Sequence, residues 1–325
     1  MRCLIRSILL AIGSVPALLT MFPGSGAAAS YVLPAGPDTV VGATEQVAAR
    51  HEDTLLDIGR AHGVGYEEIV AANPGVDPWL PGEGREVLIP SRFILPEAPR
   101  EGIVISLAEH RLYYFPRPRA GEPATVITYP ISVGRMDWTT PLGLTRIVDK
   151  RAKPIWYPPE SVRKEHAEDG RPLPKAVPPG PDNPLGEYAM RLGIPGGAYL
   201  IHGTNKPAGV GMQVTHGCIR MYPEDIEQFF KMVPISTPVR IVHQPYKMGW
   251  QADELYIEVH APLEGSRGGE ARSLTDITRL LVAATQDRPV PIDWARAEQA
   301  FASASGVPVP VMLGTATSQI AGSAP

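Results

Sequence analysis

Cysteine is scarce in this chain: 325 residues contain two, Cys3 and Cys218. A disulfide framework is therefore excluded as the source of stability. Long apolar runs are missing as well. The richest, residues 8–21, is interrupted by Gly13 and Pro16 and falls short of the roughly 20 residues that a membrane span requires. No block of lysine and arginine interleaves with aromatic residues, which argues against nucleic acid as a partner. Proline, in contrast, is plentiful at 36 residues. It disfavours long helices and favours strands, turns and extended connections.

The first residues read as a leader. Arg2 and Arg6 give a positive start, residues 8–21 a short apolar core, and Ala27-Ala28-Ala29 a small-residue cleavage site. The expectation is an export signal over 1–29, cut near Ala29, with no permanent membrane span. An uncleaved anchor is the rival reading. Without Arg2 and Arg6, 28 basic residues face 34 acidic ones. Cys3 leaves with the leader, so Cys218 stands alone in the exported chain. A lone thiol in an oxidising compartment is a candidate nucleophile; the alternative is a small buried apolar residue.

The neighbours of Cys218 favour chemistry. The stretch YLIHGTNKPAGVGMQVTHGCIRM brings together His202, His216 and Cys218 on a glycine-rich background. A thiol attacks carbonyls only as thiolate, so a nearby imidazole must take its proton or pair with it. His202 ends an expected strand and is the first candidate base. His216 lies two residues before the thiol and, in extended backbone, would point to the same side. A structural, hydrogen-bonded role stays open for either. Gly217-Cys218 offers consecutive backbone N–H groups for an oxyanion. Arg220 could clamp a substrate carboxylate or its own loop. Two histidines and a cysteine could also hold zinc, but their spacing matches no common zinc pattern. No metal and no cofactor are expected.

Along the chain, residues 30–45 read as a linker. Residues 46–91 read as strand, two short helices, strand, with Thr54 capping the first helix, Gly63 ending it and Asn73-Pro74 ending the second. From Gly102 strands dominate, beginning with a hairpin of IVISL and RLYYF. A long Pro/Gly-rich segment between Lys153 and Gly197 suggests a lid or binding wall. Its Trp156 and Tyr157, with Tyr188, could line substrate or merely pack. Pro223, Glu224 and Asp225 open a bracing helix that buries Ile226, Phe229 and Phe230. One more strand is expected after Gln244. Two helices within 272–305 form a hairpin, and 306–325 reads as a disordered tail.

Two resemblances organise these elements. DTLLDIGRAHGVGYEEIVAANPGV and the closing VLIP resemble a LysM domain, which implies binding of N-acetylglucosamine-containing glycan. Glu52 stands where such modules have glycine, a departure near the glycan groove. The HGT at His202 and THGCIRM beginning at Thr215 resemble the YkuD-type L,D-transpeptidase family. YPISVG, TPLG, PESV, GPDNPLG and QPYK support the match, which spans about 100–263. The resemblance implies a mainly β fold: a β-sandwich catalytic domain over 100–263, with a small α+β LysM module over 46–91 and a C-terminal helical hairpin. It implies Cys218 as nucleophile, His202 as general acid/base, and the carbonyl of Gly203 as the imidazole's orienter. His216, Gly217 and Arg220 complete the motif, with Thr215 where many members have serine. Arg220, Thr215, Trp156 and Tyr188 are the candidate substrate-binding residues.

The implied reaction splits the bond before the terminal D-alanine of a peptidoglycan tetrapeptide and joins diaminopimelate to an acceptor amine in the periplasm. The acceptor is a second stem peptide or a lysine of an outer-membrane protein; water would make the enzyme a carboxypeptidase. Two other readings remain open. One is a papain-like peptidase of stem peptides, using a histidine downstream of the cysteine. The other is a peptidoglycan-binding scaffold without catalysis.

Overall fold

The computed structural model describes residues 29–135, 138, 140–196, 199–263 and 273–313. The leader expected over 1–29 lies outside these residues apart from Ala29. The chain opens with β1 (Ala29–Val32), β2 (Val40–Gly42) and β3 (Glu45–Ala48), then α1 (Leu55–Ala61), α2 (Tyr66–Ala72), β4 (Glu86–Ile89) and β5 (Arg92–Ile94). Thr54 caps α1 in a reciprocal box: its Oγ1 accepts from Asp57 N–H at 3.1 Å, while its own N–H donates to the Asp57 carboxylate at 3.2 Å. The two helices and the β3–β4 pair enclose a small core of Leu55, Ile58, Val64, Ile69, Val87 and Ile89.

The main body follows: β6 (Gly102–Ser106), β7 (Arg111–Phe115), β8 (Thr125–Pro130), β9 (Val133–Gly134), β10 (Gly143–Ala152), α3 (Glu160–Glu168), β11 (Tyr188–Leu192), β12 (Leu200–His202), β13 (Gln213–Thr215), β14 (Ile219–Arg220), α4 (Pro223–Met232) and β15 (Pro238–Val242). Nine strands form one sheet in the order β1-β8-β7-β6-β15-β10-β11-β12-β14. The long strand β10 joins its two halves. Its start pairs with β15 and its end with β11, with an irregular register between Ile147 and Asp149. That irregularity turns the sheet on itself, as bulges do. One core then takes side chains from both halves, including Ile103, Leu112 and Tyr129 from the first and Met190, Ile201 and Ile219 from the second. The result is the expected mainly β architecture.

Helix α4 covers this core. Pro223 occupies its first turn with Glu224 and Asp225, and Ile226 and Phe229 are buried. Lys150 Nζ donates to Val233 O at 2.6 Å and to Phe230 O, neutralising the helix's C-terminal end. Strand β6 is apolar on both faces because both are covered. Ile103 and Ile105 face the main core, while Val104 packs with Val41, Phe93 and Leu95 of the N-terminal strands.

Three expectations need correction. Residues 30–45 are not a linker: β1 pairs with β8 at the edge of the main sheet, and β2 pairs with β5. The alternation of buried and exposed residues there is too short to stand out in sequence. After Gln244 there is not one strand but a hairpin, β16 (Tyr246–Gln251) with β17 (Glu254–Val259). The tail is folded as far as residue 313. After α5 (Leu274–Thr285) and α6 (Trp294–Ser303), β18 (Val309–Pro310) pairs with β17, and Val311 is buried. Residues 314–325 lie outside the described set. These C-terminal elements share a core of Leu255, Ile257, Val259, Ile277, Leu281 and Ala297.

The N-terminal helices dock on the main body close to the cysteine motif. The start of α2 takes two loop carbonyls: Tyr66 N–H donates to Val210 O at 3.3 Å and Glu67 N–H to Gly211 O at 3.2 Å. These loop oxygens satisfy donors that a helix start leaves open. Backbones meet so closely that a Cβ on Gly211 would lie 2.4 Å from Gly65 Cα. Arg111, fully buried, grips Glu68 of α2 with two bonds of 2.7 and 2.9 Å.

Candidate active site

Strands β12 and β14 run parallel, with Ile201 opposite Ile219 and His202 opposite Arg220. Side chains alternate along a strand. Ile201 and Ile219 point into the core, so His202, Arg220 and Cys218 share the opposite face. His202 is buried and Cys218 is partly exposed. Arg220 acts electrostatically on both of them, which sets all three groups in one field.

The His202 ring is oriented by its neighbour. Nδ1 lies 2.6 Å from Gly203 O. A carbonyl only accepts, so Nδ1 carries the proton and Nε2 keeps its lone pair. Gly203 has little room for anything larger: a Cβ there would lie 3.0 Å from Ile226 Cγ2. Burial drives the His202 pKa down to about 3, with the Arg220 charge adding to the effect and the Gly203 bond opposing it. Burial pushes the Cys218 thiol up, against a backbone hydrogen bond from Leu200 and the Arg220 guanidinium. The resting pair is thus neutral thiol and neutral imidazole. Burial also lowers the Arg220 pKa, with the Cys218 charge opposing. Arg220 Nε is buried without a hydrogen-bond partner.

The loop between β13 and β14 carries the remaining motif residues. Thr215 Oγ1 donates to Cys218 O at 2.6 Å and closes the turn. Gly217 has φ +92°, and a Cβ there would lie 3.0 Å from the Tyr199 ring. The same-side relation expected of His216 and Cys218 assumed extended backbone, which Gly217 between them does not have. His216 instead turns to the Pro/Gly-rich segment, with Nε2 3.0 Å from Glu165 Oε2, and stands edge-on to Trp138 at 5.2 Å.

Two aromatic candidates behave differently from expectation. Tyr188 sits beside Ala189, the partner of His202, so it points to the other face. There it stacks on Phe230 at 4.8 Å and braces α4. It is corrected from substrate-binding to core packing. Trp156 belongs to the long segment itself: its backbone bridges to Val177, and its side chain lines a cavity of about 410 Å³ with Leu173, Val177 and Pro178. Residues missed in the sequence are Glu165, Arg135, Trp138, Thr140 and Tyr199. Of these, Tyr199 opened the quoted cysteine stretch and Thr140 lay in the quoted TPLG, and neither was singled out; Thr140 Oγ1 donates to Gly217 O at 3.0 Å.

Among the described residues, one cluster has the makings of a cation site: Glu109, Glu258 and His260. It lies away from the cysteine, and the Lys247 ammonium already fills it, 2.8 Å from Glu109 and 2.7 Å from Glu258. The donor set does not fit an additional metal.

The profile of the YkuD family, the L,D-transpeptidase catalytic domain, matches residues 100–241. The Escherichia coli K12 protein named as the L,D-transpeptidase YcfS is 41% identical over 238 residues, which is 72% of this chain and 73% of that protein. The chain belongs to the YkuD L,D-transpeptidase family. It is also similar to YbiS of Escherichia coli K12, named as an L,D-transpeptidase, at 37% identity over 89% of this chain and 94% of that one. L,D-transpeptidase 3 from Mycobacterium tuberculosis overlays with a TM-score of 0.32 at 21% identity, covering 49% of this chain and 67% of that one. That overlap is too loose to compare site residues. Membership makes the protein an enzyme and places its catalytic domain in the main body.

Proposed function

We propose that the protein is a cysteine L,D-transpeptidase acting on peptidoglycan stem tetrapeptides, with Cys218 as nucleophile and His202 as general acid/base. The observation that carries this reading is the shared face of β12 and β14. It holds a thiol, an imidazole whose Nε2 is the unprotonated nitrogen, and a guanidinium with a buried Nε that has no hydrogen-bond partner.

The neutral resting pair defines the first step. As the Cys218 sulfur attacks the diaminopimelate carbonyl, its proton passes to His202 Nε2, so ion-pair charge develops only along the reaction. The carbonyl oxygen becomes an oxyanion, and the backbone N–H groups of Gly217 and Cys218 are the candidate donors. His202 then protonates the departing D-alanine nitrogen. The C–N bond breaks and a thioester remains, keeping much of the peptide bond's free energy. An acceptor amine attacks this thioester, gives its proton to His202, and restores the thiol. Arg220 supplies charge for a substrate carboxylate, and Thr215 holds the turn.

The docked module of α1 and α2 is read as a LysM-type binder of peptidoglycan glycan. The leader is read as an export signal to the periplasm. Among the described residues, no helix is long and apolar enough to cross a membrane. The acceptor is a second stem or a lysine of an outer-membrane protein. A papain-like arrangement is disfavoured: His260 binds Glu258 in the C-terminal sheet, and His243 follows β15, which three intervening strands separate from β14.

Mass spectrometry of products from disaccharide-tetrapeptide tests the reading. Cysteine-dependent dimers, one D-alanine lighter than two monomers, are expected. Tripeptide alone directs the search to a protein lysine, supplied as a peptide. Identical products from Cys218→Ala would refute it.

A further inference from the structure

The two histidines of the motif are held by different parts of the fold, and the difference separates their tasks. Glu165 lies on α3, within the long Pro/Gly-rich segment. Its carboxylate uses both oxygens: Oε1 accepts from Arg135 Nη2, and Oε2 lies 3.0 Å from His216 Nε2. Arg135 is itself part of the catalytic loop's support, since its backbone N–H donates to Thr215 O at 2.9 Å. Hydrogen bonds from Arg135 and His216 hold the Glu165 carboxyl below its ordinary range. An ionised carboxylate only accepts, so His216 Nε2 carries a proton.

The same segment is fastened on the other flank of the site. Within the segment, Asn183 is fully buried and its amide donates to Pro154 O at 2.8 Å, tying the segment to itself. At Gly186, a Cβ would lie 2.8 Å from the backbone nitrogen of Thr204, the last residue of the HGT motif. That contact is backbone against backbone and cannot open without remodelling. The Glu165 contact is one half-exposed carboxylate meeting two half-exposed partners. It is the fastening that can release.

We infer that Glu165 is a positioning residue whose carboxylate latches the segment around α3 to the catalytic loop through His216 and Arg135, so that His216 serves the latch and His202 alone exchanges a proton with Cys218. The inference rests on Cys218 being the nucleophile. Latching shapes the substrate's binding wall and leaves the chemical step to His202.

The test compares full-length protein with the variants Glu165→Gln, His216→Gln, both together, and His202→Gln. Cys218 acylation by disaccharide-tetrapeptide is followed by quenched intact-mass measurement across pH. Thermal melting confirms that each variant folds. Expected are an increase in KM of about tenfold for Glu165→Gln and for His216→Gln, an acylation rate at saturation within roughly threefold of the parent, and an unchanged pH profile. The double variant should be no worse than either single one. His202→Gln should lose about a hundredfold or more in the acylation rate. Loss of acylation in His216→Gln as severe as in His202→Gln would overturn the inference, as would multiplying effects in the double variant. A second readout needs no turnover: a bulky maleimide should modify Cys218 about tenfold faster in Glu165→Gln than in the parent, and an equal rate would also overturn the latch. A parent protein that never acquires an acyl mass refutes the nucleophile assignment instead, and the maleimide rate still decides the latch.

Discussion

Replacing Glu68 by alanine should destabilise the whole protein, because Glu68 neutralises a guanidinium that has no route to water. Arg111 is fully buried, and its charge meets Glu68 through Nε at 2.7 Å and Nη2 at 2.9 Å. Its other bonds, to Thr128 Oγ1 and Gly63 O at 3.2 Å, go to neutral oxygens. Removing one partner of a buried ion pair costs about 3–5 kcal/mol, since the remaining charge stays desolvated. Glu68 also caps α2 by accepting from Gly65 N–H at 2.7 Å, which adds about 1 kcal/mol. For a domain of this size, each kcal/mol corresponds to roughly 2–4 °C in melting temperature. Urea unfolding of parent and Glu68→Ala measures the difference, and the double change Glu68→Met with Arg111→Met is the control. Apolar replacement of both partners should recover most of the loss. A cost below about 1 kcal/mol for Glu68→Ala would refute the argument.

Three further outcomes follow from the same reasoning. Asp225 is buried at the start of α4, and burial raises its pKa to about 7. The unfolded chain releases this proton first, so stability falls as pH rises from about 4 to 7, by at most about 4 kcal/mol. Asp225→Asn should therefore raise the melting temperature at pH 8 more than at pH 4; an equal shift at both would contradict the buried acid. Because the Cys218 thiol is raised and His202 stays neutral above about pH 4, iodoacetamide alkylation of Cys218 should keep accelerating through pH 9. A plateau below pH 7 would indicate a resting ion pair and a different first step. Gly217→Ala places a side chain at φ +92° against the Tyr199 ring, which costs roughly 1–3 kcal/mol and moves the proposed oxyanion donors. Acylation should fall about a hundredfold, and retention of half the parent rate would show that the turn is dispensable.

The cysteine motif was legible in sequence because its residues lie close together and each has a distinct chemistry. Helix α4 was legible for a similar local reason, with proline and two acids at its start and Ile226 and Phe229 buried along one side. What sequence could not show depends on pairing across long separations. Strand β1 meets β8 almost a hundred residues away, and nothing in ASYV announces that partner. Glu165 is 51 positions from His216 and looks like any charged residue of an exposed helix. Tyr188 illustrates register: an aromatic beside the site in sequence lands on the wrong face when strand parity is unknown. For His216 the alternation rule gives no guide, since it stops at a glycine with positive φ. Thr54 and Asp57, whose cap is local, were read without difficulty.

The central claim is a covalent intermediate on Cys218, and intact-protein mass spectrometry during the first turnover tests it most directly. Rapid quenching after mixing with tetrapeptide should reveal a species heavier by the stem minus its terminal D-alanine, mapped by digestion to the peptide containing Cys218, and missing from Cys218→Ala. Release of D-alanine with no acyl mass on the protein, or an acyl mass on another residue, would contradict the account.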